Sequence, residues 1–257
     1  PTVEQTAAAD VLRQKNAGWL LLGQLAGRHS NFTEIRYIAS ELAKVLDAKL
    51  GYLPEGANAA GAAMLGFSPD GDGLNIHQML SAPRHAYILH GIEPEADIAD
   101  SSLAEAALKS ADVVVALTAF AGEALLDCCD IVLPIAAYAE SDGTYVNVEG
   151  RWQAFAAAAE PYGNSRPAWR ILRVLATSLG ATKCEFENIE ALRADIDAHV
   201  ERRPGDNTYT GSPKLDFEAG EVELDQIDVP IYSIDALVRR SEPLQQTEIA
   251  RARSRNE

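Results

Sequence analysis

The segment Glu140-Ser-Asp-Gly-Thr-Tyr-Val-Asn-Val-Glu-Gly-Arg-Trp-Gln153 sets carboxylates, amides and a guanidinium within one short stretch. Asp142-Gly143 is a turn signal. Thr144, Tyr145 and Val146 favour extended backbone. Asn147, Glu149 and Arg151 are placed to hydrogen-bond across a hairpin or a domain boundary, and a guanidinium such as Arg151 also suits a phosphate. On chemistry alone, structural hydrogen bonding and contact with a ligand or partner both stay open.

Other candidates are sparser. His29 stands in a polar loop after the first strand and His90 ends the third, so both imidazoles can be placed at one crevice for proton transfer near neutral pH; the plainer reading is two hydrogen-bonded loop histidines. His77 and His85 read as surface residues. The five histidines show neither H-E-x-x-H nor a metal-ligand spacing. Cys128-Cys129 reads as packed thiols at a helix end before it reads as a redox pair. Ser141-Asp142 are adjacent, which does not make a nucleophile and its base. No G-x-G-x-x-G follows the first strand, and the glycine-rich stretch Gly56–Gly66 lacks the Lys-Ser or Lys-Thr of a phosphate loop. No catalytic residue and no metal ligand is assigned.

The elements that would position these groups alternate. A helix is expected over 4–15, a buried strand over Gly18–Gly23, a helix over 32–48 with Ile35, Ile38, Leu42, Val45 and Leu46 at three- and four-residue spacing, and a strand over Lys49–Leu53. Pro54–Gly66 reads as a glycine-rich connector. A helix over 74–81, a strand over Ala86–Gly91, a loop to Asp100 and a helix over Leu103–Ser110 capped by Ser101 or Ser102 follow. Asp112–Thr118 carries three consecutive valines, a run suited to a sheet covered on both faces. Further helices are read over 122–128, 166–179 and 185–203, and a strand over Asp130–Pro134. The expected fold is α/β: a mostly parallel sheet of Rossmann-like or flavodoxin-like layering with helices on both faces. Right-handed crossovers would gather Gly23–Asn31, Gly91–Asp100, Thr118–Gly122 and Pro134–Gly150 at one carboxyl edge, where open α/β sheets hold ligands. Thr208–Val229 is polar and acidic, Ile227–Leu237 suits a strand and turn, and Gln245–Glu257 suits a flexible tail or terminal helix.

Composition narrows the rest. The chain has 257 residues, 47% of them apolar, and a formal charge of −16. A surface so acidic, without a basic stripe, disfavours nucleic acid. Three cysteines without C-x-x-C provide no disulfide framework and too few thiolates for an iron–sulfur cluster or a four-thiolate zinc site, and they fit a reducing compartment. No apolar run reaches membrane-spanning length, and no secretory leader is read. Position 1 is Pro, not Met, which leaves a processed product and an excised piece both as expectations.

The central segment carries a family resemblance. Val132-Leu-Pro134 followed by Glu140, Gly143-Thr144, Asn147, Glu149-Gly150-Arg151 and Gln153 resembles the molybdopterin oxidoreductase superfamily, which includes formate dehydrogenases and nitrate reductases. Pro161, Pro167, Ala168 and Trp169 resemble its continuation into the next helix. Gly23 with Asn31, Ala57–Gly66, Ala121–Leu125, Val229–Tyr232 and Asp235–Gln246 resemble more narrowly the G subunits of bacterial NADH–quinone oxidoreductases (complex I). That resemblance implies a non-catalytic scaffold in the peripheral arm, on the cytoplasmic side of the inner membrane. Its partners would be other subunits of the arm, without direct membrane insertion. It implies no cofactor in this segment and iron–sulfur clusters in an N-terminal part outside it. Gly23, His29, Asn31, His90 and Thr118 would then line a relic of a cofactor cleft. The expected division is an α/β domain over 4–204, an irregular extension over 205–247 packing on it, and a flexible tail over 248–257. The alternatives are a fragment of a molybdopterin-dependent oxidoreductase such as formate dehydrogenase, and an unrelated nucleotide-binding α/β module.

Overall fold

The computed structural model describes residues 2–14, 18–27, 29, 31–69, 71–201, 207, 209, 211 and 232–253. In chain order the elements are α1 (Val3–Gln14), β1 (Trp19–Leu22), α2 (Gln24–Gly27), α3 (Phe32–Leu46), β2 (Lys49–Tyr52), α4 (Ala59–Met64), α5 (Ile76–Ser81), β3 (Ala86–His90), α6 (Pro94–Asp97), α7 (Ser101–Lys109), β4 (Val113–Thr118), α8 (Glu123–Cys128) and β5 (Ile131–Pro134). A 3-10 turn (Tyr138–Glu140), the hairpin strands β6 (Gly143–Val146) and β7 (Trp152–Phe155), then α9 (Ala168–Ser178) and α10 (Ile189–His199) follow. A second 3-10 turn (Val238–Arg240), α11 (Glu242–Gln245) and α12 (Glu248–Arg253) close the described chain. The strand expected over Ile227–Leu237 lies partly outside the described residues, which show turns from Tyr232 on. Of Thr208–Val229, only Tyr209 and Gly211 are described.

The chain forms two compact units: Pro1–Phe67 with Thr144–Ala154 and Ala194–Asp225, and Ser68–Gly143 with Phe155–Arg193 and Gln226–Glu257. In the first, β1 and β2 pair in parallel, with Trp19 opposite Lys49 and Leu22 opposite Tyr52. Helix α3 covers them through Ala39 and Ala43, which meet buried Leu50 and half-buried Leu20, Leu22 and Tyr52. Asp47, at φ 50°, closes α3 in the left-handed region. In the second unit, β3, β4 and β5 form a parallel sheet in chain order. Its core joins Tyr87 and Leu89 of β3, Val114 and Ala116 of β4, Leu80 of α5, Ala104, Ala107 and Leu108 of α7, and Leu125 of α8.

The expected single sheet with helices on both faces is therefore corrected. Among the described residues there are two separate small parallel sheets and one hairpin, a mixed α/β fold. The reason is topological. Strands that follow one another in chain order through crossovers of one hand put every crossover helix on one face, whereas two-sided cover needs a reversal of strand order. The crossover helices α7 and α8 accordingly share one face of β3–β4–β5, where α5 joins them.

Three local expectations also change. The connector Pro54–Gly66 contains α4, because Ala has the highest helix propensity and four of its six helical residues are Ala. The loop before Asp100 contains α6, opened by Pro94 in its first turn. The cap of α7 is Asp100, not Ser101 or Ser102; its Oδ1 accepts from the Leu103 N–H at 2.9 Å.

Candidate functional site

The motif segment folds as a hairpin. The connection from Val146 to Trp152 is too short for a parallel crossover, so β6 and β7 run antiparallel. Asn147 Oδ1 accepts from the N–H groups of Glu149 (3.0 Å) and Arg151 (2.9 Å), an Asx cap on the loop. The Asn147 N–H donates to the Arg151 carbonyl, and Gly150 takes φ +76°. A side chain on Gly143 would collide with the ring of Phe155 across the pair. Upstream, Glu140 Oε2 accepts from the Ala137 N–H at 3.0 Å, and Asp142 Oδ1 accepts from the Ala157 N–H at 2.9 Å. The Val146 N–H donates to Asn58 Oδ1 at 2.8 Å, and Gly61 leaves the room that this amide needs.

Several motif residues thus shape their own backbone. Glu149, Arg151 and Gln153 are exposed, and Thr144 is half-buried. Replacing Asn147 by Ala removes two loop hydrogen bonds at once and is expected to lower stability by about 1–2 kcal/mol. Urea denaturation checks this as a fall in midpoint at constant slope, with exposed Val148→Ala as the unaffected control.

In the first unit a cleft of about 340 Å³ opens at the carboxyl ends of β1 and β2. Gly23, Gln24 and Gly27 form one wall and Tyr52, Leu53, Pro54 and Glu55 another, with Phe32 and Arg36 between them. Arg36 is the organising cation. Its Nε donates to the Tyr52 hydroxyl at 3.2 Å, and its guanidinium lies 5.3 Å from the Tyr52 ring centroid, 5.7 Å from Phe32 and 5.2 Å from Tyr209. Sequence reasoning missed this cage. Phe32 and Arg36 stand one helical turn apart on α3 and so were findable from periodicity, but Tyr52 and Tyr209 are remote in the chain. Of the expected cleft residues, Gly23 lines the cavity. His29 and Asn31 sit in the loop before α3, where His29 Nδ1 accepts from the Asn31 N–H at 3.0 Å, and neither lines the cavity.

His90 and Thr118 belong to the second unit. Both end strands there: His90 is exposed, and buried Thr118 closes on Phe120, donating its hydroxyl to the Phe120 carbonyl at 2.6 Å and accepting from the Phe120 N–H at 3.1 Å. His85 pairs with Asp112 at 2.8 Å and His77 meets Ser81 at 3.3 Å, both on the surface. A second hollow, of about 640 Å³, lies against Glu140, Asp142, Glu160, Arg166 and Arg170.

The adjacent thiols pack against the core of the second unit. Burial, reinforced by the charge and hydrogen bond of Cys128, pushes the Cys129 thiol up to about 12, and burial also raises Cys128. At pH 8 Cys129 is therefore held as the thiol, which suits packing rather than reactivity. Iodoacetamide at pH 8 is expected to alkylate Cys129 at least about a hundredfold more slowly than free cysteine. Peptide mass mapping over time measures that ratio, and a rate near that of free cysteine would contradict the packing role.

The class defined by this fold is a mixed α/β module, with a cleft at the carboxyl ends of one pair of parallel strands, where such sheets cradle ligands. The sequence pattern of the molybdopterin oxidoreductase family matches residues 6–178, and the chain belongs to that family. It is similar to the mitochondrial NADH-ubiquinone oxidoreductase 78 kDa subunit of Candida albicans, 43% identical over 76 residues, 28% of this chain and 10% of that protein. It is also similar to the F420-dependent formate dehydrogenase 2 subunit alpha of Methanococcus maripaludis, 40% identical over 120 residues, 45% of this chain and 18% of that protein. The G subunit of the NADH-quinone oxidoreductase of Streptomyces coelicolor is 35% identical over 146 residues, 54% of this chain and 17% of that protein. The chain thus spans less than a fifth of the length of these relatives.

The family name points to a molybdenum–pterin cofactor. Among the described residues no three or more His, Cys, Asp or Glu side chains group to hold a metal ion, so this donor set does not fit a metal bound through several protein ligands. No helix among the described residues is long and apolar enough to cross a membrane.

Proposed function

We propose that this chain is the α/β part of a larger oxidoreductase subunit of the molybdopterin type, contributing framework and cleft wall rather than an electron-carrying centre of its own. The observation that supports this best is the family match over 6–178, read with a motif hairpin in which Asn147, Gly150 and Gly143 serve the hairpin's own geometry. Residues 4–204 act as one family module in this reading, with 205–247 as its extension.

Two kinds of whole protein contain such a part. A formate-dehydrogenase-type alpha subunit is supported by the 40% identity over 120 residues. There the Gly23–Arg36–Tyr52 cleft would be a stretch of wall around a molybdenum–pterin cofactor completed by other domains. A complex I G subunit is supported by the alignment that reaches 54% of this chain. There the module would be a scaffold of the peripheral arm on the cytoplasmic side of the inner membrane, beside other subunits of the arm, with iron–sulfur clusters elsewhere in the same polypeptide. Molybdenum and pterin analysis of the full-length native protein separates the two. One molybdenum and bound pterin per subunit is the outcome expected of the first; neither, with NADH-driven quinone reduction by the intact complex, is expected of the second. Saturable NAD binding by the isolated chain, with no cofactor and no such complex, would sink both.

A further inference from the structure

Near the carboxyl edge of β3–β4–β5, where an open α/β sheet would take a ligand, the chain places its own tail. Glu93 lies three residues beyond β3, with its side chain only 7% exposed. Arg240 grips it with both arms, Nη1 to Oε1 at 2.9 Å and Nη2 to Oε2 at 2.7 Å. The same guanidinium lies over the ring of Phe120, 4.3 Å from its centroid, just past the end of β4. Arg239 donates through Nη2 to Asp97 Oδ1 at 2.5 Å, and Asp97 Oδ2 accepts from the Glu93 N–H at 2.7 Å. Among the described residues Arg239 Nε and Nη1 have no hydrogen-bond partner, so Arg240 is the better-seated of the two.

The tail is shaped before it docks. Asp235 Oδ1 accepts from the N–H groups of Leu237 and Val238, and Gln245 Nε2 donates to the Tyr232 and Val238 carbonyls. These bonds fold 232–245 into a turn that presents both arginines. A bidentate carboxylate, an aromatic face and a second carboxylate make a receptor for a planar guanidinium, which an ammonium cannot match.

We propose that the Glu93–Asp97–Phe120 crevice is a guanidinium-recognition surface whose occupant is the chain's own 232–248 segment, docked through Arg240. The segment acts as a plug: it keeps that edge closed to diffusible ligands, and a released edge accepts the same segment in trans. The proposal is independent of which whole protein the module serves.

The test uses the full chain, its Arg240→Ala variant and a fluorescent peptide with the sequence of 232–248, read by anisotropy. The wild-type chain, its crevice filled, should bind the peptide at least about tenfold more weakly than Arg240→Ala does, a gap of about 1.4 kcal/mol. Adding Glu93→Gln to Arg240→Ala should remove that gain. Equal binding to wild type and a folded Arg240→Ala chain, or binding indifferent to Glu93→Gln, overturns the proposal. Should Arg240→Ala lose its circular dichroism, Arg240→Lys decides instead. Trypsin should release its tail at least about threefold faster than in wild type if the fork geometry matters, and unchanged release overturns the plug.

Discussion

Leu108→Ala is expected to lower the stability of the second unit by about 3–4 kcal/mol. Leu108 sits on α7 at 2% exposure, in a core cluster to which four other elements contribute: α5, β3, β4 and α8. Removing its branched end takes away packed apolar volume that Ala104, Ala107 and Ala116 are too small to refill. The loss should appear in denaturant melts as a midpoint shift at unchanged slope. Leu172→Ala on α9, where the side chain is 40% exposed, is the matched control and should cost less than about half as much. Equal effects at the two sites would mean that the α7 layer is not the core of that unit.

The second large effect is expected at Glu93. Its carboxylate is nearly sealed from water and is held by the Arg240 fork, with Arg239 Nη1 at 3.7 Å. The Glu93 hydrogen bonds raise the Arg240 pKa, with the Glu93, Glu95 and Asp97 charges adding to them. Glu93→Gln keeps the shape and one acceptor but takes the paired charge from the Arg240 fork, while Arg239 keeps Asp97. The cost should be about 3 kcal/mol, the low end for a broken buried pair because Arg240 is 34% exposed. A double-mutant cycle with Arg240→Gln isolates the coupling: the double variant should be less destabilised than the sum of the singles. Strict additivity would show that the pair is not coupled.

Elements governed by local pattern were legible in the sequence. The apolar spacing of α3 and the valine run of β4 gave both within a residue or two of their bounds. The hairpin was legible in part: Thr144–Val146 favoured extended backbone and lie in β6, but the Asp142-Gly143 turn signal falls where β6 begins, and the turn lies after Asn147. Helix α4 was hidden because Ala mixed with Gly reads as connector until the Asn58 amide and the hairpin fix it. The cap of α7 was misplaced by one or two residues because Asp and Ser compete for the same role. Strand partners were least legible, since pairing into small sheets depends on contacts between remote segments. Of the candidate site, Gly23 was found from its place after β1, whereas the Arg36 cage draws on Tyr209 and the Glu93 crevice on residues 147 positions away. No window of a dozen residues contains either.

The two units alternate along the polypeptide, with exchanges at 67/68, 143/144, 154/155, 193/194 and 225/226. Each unit thus includes segments remote in the chain: the first takes in residues 144–154, and the second the arginine-bearing tail. Deletion from either end therefore removes residues of one of these units instead of trimming an independent lobe. For the same reason, insertions or tags have better prospects in an exposed turn such as Tyr162-Gly163 than at any would-be domain junction.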